Sequence, residues 1–182
     1  MAWLNSTARY GTLSLALHWL TALLIVAVYA LMHVHEALGR TPAAATAELW
    51  HSMLGLLVLL LTLIRLPLRF MQPAPAIEPP LVQWQHWLSL ATHGALYVLI
   101  LLAMPILGWL LLSAEGHDIS FFGLPLPALS ARDPARAETV KEIHETIGNI
   151  GYALIALHTA AALYHHYVLR DNTLVRMLLK RN

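Results

Sequence analysis

No cysteine occurs in the 182 residues, and that absence removes several chemistries at once. Iron–sulfur clusters, covalent haem attachment through Cys-x-x-Cys-His, thiolate zinc sites and disulfides all need the thiol. Charge is also scarce: Asp, Glu, Lys and Arg make up 12% of the chain against 58% hydrophobic residues. The charges that exist lie between long apolar runs, as hydrocarbon demands, because an unpaired ion inside a bilayer is costly. With a formal net charge of +1 and no basic array interleaved with aromatics, nucleic acid is not an expected partner. Acidic residues are almost missing from the apolar runs themselves, with Glu145 at one edge. A metal or proton transporter whose histidines form a path would be expected to carry carboxylates beside them.

Four apolar runs are near or above the roughly 20 residues that cross a bilayer as a helix. They cover about residues 13–32, 49–66, 87–112 and 143–169, and the second, being short, is expected to extend a turn at one end. The connectors are polar or proline-rich; residues 72–80 (QPAPAIEPP) cannot be helical. The first run is followed by no small-residue cleavage site and reads as a retained helix rather than a signal peptide. Residues 1–182 are therefore expected to form one all-α domain, an integral membrane four-helix bundle. Arg9, Arg65, Arg69, Arg170, Arg176, Lys180 and Arg181 fall on one side of it, and Arg40, Arg132, Arg136 and Lys141 on the other. Seven basic residues against four predict cytoplasmic N- and C-termini.

Histidine is the residue in excess, at 11. A buried imidazole needs a hydrogen-bond partner or a metal. His144 and His158 are 14 residues apart on the fourth run, close to four helical turns, so they share a face about 21 Å apart along the axis. Each can bind the iron of a different haem, given a second ligand at matching depth on another helix. His18, one to two turns into the first run, matches the level of His158; His51, at the start of the second, matches His144. Two pairs follow, His18 with His158 on the inner side and His51 with His144 on the outer. Filling both axial positions with neutral imidazole gives low-spin haem b, suited to electron transfer rather than oxygen binding. Gly148 and Gly151 lie four and seven after His144, and Gly55 four after His51. They would leave room for a porphyrin edge, or alternatively serve close helix packing.

Other histidines compete. His86 and His93 share a face of the third run, and depth does not exclude His93 as a ligand or a quinone contact. His33 and His35 read as interfacial and His117 as a loop residue, while His165 falls on the face of His158 near the cytoplasmic surface.

The stretches around His18 (LHWLTALLIVAVYALM), His51 (LWHSMLG) and His144 to Met177 (HETIGNIGYALIALHTAAALYHHYVLRDNTLVRM) resemble bacterial cytochrome b561 over nearly the whole chain. That family belongs with the cytochrome b subunits of nickel–iron hydrogenase and formate dehydrogenase. The resemblance implies a bacterial inner-membrane bundle with two haem b groups. Its ligand pattern, one histidine from the first helix, one from the second and two from the fourth, falls on His18, His51, His144 and His158. By the same pattern His93 is not an axial ligand.

Members resembling this chain include a superoxide oxidase that reduces ubiquinone. That analogy makes the outer haem the entry for electrons from superoxide or another small donor, with a quinone reduced near the cytoplasmic surface. His165, His166, Arg9 and Arg170 are the candidate quinone contacts. The outer connector argues against simple steering of an anion: Arg132, Arg136 and Lys141 stand against Glu115, Asp118, Asp133, Glu138 and Glu142. An alternative role is a membrane anchor relaying electrons between a soluble redox partner and the quinone pool.

Overall fold

The computed structural model describes residues 2–178, so Lys180 and Arg181 of the charge count lie outside the described residues. Four helices are long and apolar enough to span a membrane: Thr12–Leu38, Pro42–Met71, Gln83–Glu115 and Pro134–Leu169. Each contains its apolar run and continues past it, because a helix keeps its backbone hydrogen bonds after it leaves hydrocarbon. The second gains at both ends rather than one. Its start is set by Thr41, whose side chain accepts a hydrogen bond from the Ala44 amide at 3.2 Å, followed by Pro42 in the first turn. The fourth begins nine residues before its apolar run, at Pro134, capped by Asp133 accepting from the Arg136 amide at 3.1 Å. Arg136, Glu138, Lys141 and Glu142 are thus helical, where hydropathy alone places them in a connector.

Polar groups inside the bundle are satisfied locally. Thr21 and Thr62 are fully buried, and each hydroxyl donates to the carbonyl four residues back, Leu17 and Val58, at 2.7 Å. Pro105 interrupts the third helix by withholding an amide from the preceding turn. The chain absorbs this in a wider π-helical stretch, Leu96–Ala103, immediately before it. Gly116, left-handed at φ 84°, ends that helix. A small antiparallel hairpin, Ile119–Phe121 with Leu124–Leu126, then crosses the end of the bundle.

The packing is uneven. The first helix lies along the second, and the third packs against both the second and the fourth. Toward the first and second helices, however, the fourth makes almost no close backbone approach; side chains alone reach across. It is also the least buried of the four. This wide face is the one that carries His144 and His158.

Candidate functional site

At the end of the bundle opposite the termini, His51 faces His144 with ring centres 6.3 Å apart and planes at 67°. His51 Nδ1 lies 2.9 Å from the Val28 carbonyl oxygen. A carbonyl only accepts, so Nδ1 carries the proton and Nε2 keeps its lone pair, the tautomer a metal-binding imidazole needs. The first helix offers no imidazole at this level, yet it fixes the orientation of His51. His144 Nδ1 is buried with no hydrogen-bond partner. Gly108, which no spacing singles out, lies against this ring: a Cβ there would stand 3.4 Å from His144 Cε1.

At the terminal end His18 faces His158 at 6.4 Å and 61°. His93 is nearer still, 5.1 Å from His158 at 86°, with Nδ1 2.7 Å from the Ser89 carbonyl oxygen. Arg65 Nη2 lies 2.9 Å from His18 Nδ1. A guanidinium has no acceptor, so Nδ1 is the acceptor here and a neutral His18 ring holds its proton on Nε2. To take a metal through Nε2 as a neutral ring, His18 must carry its proton on Nδ1 instead, and Nδ1 then no longer accepts from Arg65. In the sequence Arg65 counts only toward topology, although an arginine inside an apolar run is itself a functional signal.

Spacing separates the competitors. Two imidazoles bound to one metal from opposite sides have ring centres roughly 6 Å apart, allowing about 2.0 Å per metal–nitrogen bond. The 6.3 and 6.4 Å pairs meet that condition. At 5.1 Å His93 and His158 touch each other directly. Among the described residues no three histidine, aspartate or glutamate side chains converge as a metal site. Donors in twos are what an iron already held by four macrocycle nitrogens requires. The wide face of the fourth helix and the two spaced histidine pairs therefore fit a flat, axially ligated group.

Glycines divide between the two readings. A Cβ at Gly55 would meet nothing within 4 Å, as room for a macrocycle edge requires. At Gly151 it would run into the Tyr29 hydroxyl and Ile100 instead, so Gly151 serves helix packing. The Tyr29 hydroxyl donates to the Gly148 carbonyl at 2.8 Å, tying the first helix to the fourth. His33 contacts the Tyr152 hydroxyl at 2.7 Å, and His35 and His117 lie beside Glu48 and Glu115.

Of the four quinone candidates, His165 has a side-chain partner among the described residues. Arg9 is exposed, and no hydrogen bond or ion pair among the described residues joins Arg9 or Arg170 to His165 or His166. The Arg170 backbone, at φ 56°, caps the π-helical turn His165–Leu169 and folds the chain back. That turn brings Asp171, which carries no signal in the sequence, onto His165, with Oδ2 2.5 Å from Nδ1. Asp171 is 6% exposed. Burial alone would raise its carboxyl, but the bonds from His165 and Thr173 outweigh this and hold it below the ordinary aspartate value of 3.8. Because the folded value is depressed, the contribution is present above the unfolded value and lost as pH falls through the folded one. Asp171→Asn is expected to cost about 1–3 kcal/mol at neutral pH. The gap should close on acidification in thermal unfolding of the detergent-solubilised protein.

Two comparisons bear on what this arrangement is. A family model described as prokaryotic cytochrome b561 matches residues 9–180. Cytochrome b561 homolog 1 of Escherichia coli K12 is 36% identical, over 95% of this chain and 98% of its own. "Probable superoxide oxidase CybB" of Yersinia pestis is 33% identical over 95% and 97%, and cytochrome b562 of Cereibacter sphaeroides 28% identical over 94% and 96%.

Proposed function

The chain belongs to the prokaryotic cytochrome b561 family, haem b electron-transfer proteins of the bacterial inner membrane, and from that premise we propose that it carries two haem b groups and oxidises superoxide at one face of the membrane while reducing ubiquinone at the other. The observation that carries the reading is the pair of matched spacings, 6.3 Å for His51–His144 and 6.4 Å for His18–His158, on opposite halves of one helix. When bound, the haems supply the one-electron chemistry. The chain supplies the axial imidazoles, the Val28 carbonyl that orients His51, and an apolar surround that excludes water.

The excess of basic residues at the terminal end supports cytoplasmic termini, with His51 and His144 toward the periplasm. Superoxide as donor is supported by the Yersinia relative, which is named a probable superoxide oxidase. At the same end Arg132 and Lys141 share a cavity of about 250 Å³ with Glu115 and Glu138. Matched charges give no broad positive field, so an anion would be received by individual basic groups rather than drawn from a distance. Quinone reduction is assigned to the terminal end, where His93 and the His165–Asp171 pair lie near the inner histidines in depth.

Purified in detergent, the protein is expected to show a b-type α band on reduction and two haems per chain by pyridine haemochrome. Superoxide should then reduce a ubiquinone analogue, and superoxide dismutase should abolish the reaction. A two-haem protein inert to superoxide would discard the donor and keep the carrier. Colourless protein from haem-replete cells would overturn both.

A further inference from the structure

Charge is poorly matched at the terminal end of the bundle. Arg65 projects from the apolar second helix into the interior, with Nη2 2.9 Å from His18 Nδ1 and its guanidinium carbon 5.5 Å from the Tyr97 ring centre. No carboxylate pairs with it among the described residues; the ion pair at this end is His165–Asp171. Arg176 is directed to the Pro75 carbonyl and the Tyr10 ring.

A guanidinium cannot shed its proton, and an imidazole lone pair with an aromatic face does not neutralise it. Were Arg65 merely a long side chain reaching for water, it would turn outward along the helix rather than meet His18 and Tyr97 inside. Its fixed positive charge therefore calls for an anionic partner.

We propose that Arg65 is the counter-ion for an anionic oxygen of the group bound beside His18 and His158. Two sources share that chemistry, a carboxylate of the inner haem and the oxygen of a reduced quinone. The inference rests on the two-haem reading above.

The test is a redox titration of the visible bands of purified wild type, Arg65→Gln and Arg65→Lys, with haem stoichiometry and the rate of reoxidation by a ubiquinone analogue. Loss of a nearby cation favours the oxidised haem. A haem carboxylate partner therefore predicts that Arg65→Gln shifts one midpoint potential negative, or loses one haem, while the other is unmoved and Arg65→Lys stays close to wild type. A quinone partner predicts that both haems are retained, with only the shift that loss of a cation near His18 brings, and that reoxidation is slowed about tenfold in Arg65→Gln, with Arg65→Lys again restoring it. Unchanged potentials and rate in Arg65→Gln would overturn the proposal. So would equal damage in both variants, since a charge partner tolerates lysine and a packing role does not. A wild type without two haems would sink the two-haem reading instead, a result read before either variant is compared.

Discussion

His144→Ala and His51→Ala should each lower the haem content from two per chain to one, and the haem that remains should be the same one in both variants. The pair lies 6.3 Å apart with the His51 tautomer fixed by Val28, which leaves its Nε2 lone pair available. Losing even the hydrogen bond behind a metal-binding histidine commonly weakens the site by roughly 10–100-fold, and losing the ligand costs more. In His144→Ala the change also leaves a hole beside Gly108, whose position lies against the lost ring. Redox titration makes the outcome specific: a single component should remain, with the potential of the inner haem. Two haems in both variants would show that the outer pairing is wrong.

The second large effect separates three histidines that sequence spacing leaves in competition. His158→Ala and His18→Ala should each remove the inner haem, whereas His93→Ala should keep both. His93 has the hydrogen-bonded Nδ1 expected of a ligand, and on that criterion alone it looks better prepared than His18, whose Nδ1 faces Arg65. Spacing argues against it. A ring centre 5.1 Å from that of His158 leaves no room for an iron between them, whereas 6.4 Å does. If His93→Ala lost one haem and His18→Ala lost none, the third helix and not the first would supply the ligand. Reduced quinone-dependent reoxidation in His93→Ala with both haems intact would instead mark His93 as a contact of the acceptor.

The glycines and the loop charges show how far one-dimensional reading reaches. Gly55 and Gly151 look alike in sequence, each a whole number of turns beyond a histidine, but Gly151 is filled by Tyr29 from the first helix. Arg136, Lys141 and Glu142 read as connector because hydropathy reports where the apolar run begins, and Asp133 starts the helix nine residues earlier. Asp171 gives no signal at all. Its meeting with His165 depends on a π-helical turn and a left-handed residue at Arg170, which no composition or period encodes.

By itself the sequence determined the four spans, the absence of any thiol chemistry and the shared face of His144 and His158, because hydrocarbon enforces long apolar runs and helical geometry fixes what lies 14 residues on. Only the tertiary structure decided the distances across the bundle. It set His93 5.1 Å from His158, turned Arg65 inward with no carboxylate paired to it among the described residues, and locked His165 onto Asp171. Those outcomes depend on how separate helices approach and rotate, and that is set by packing between residues far apart in the chain.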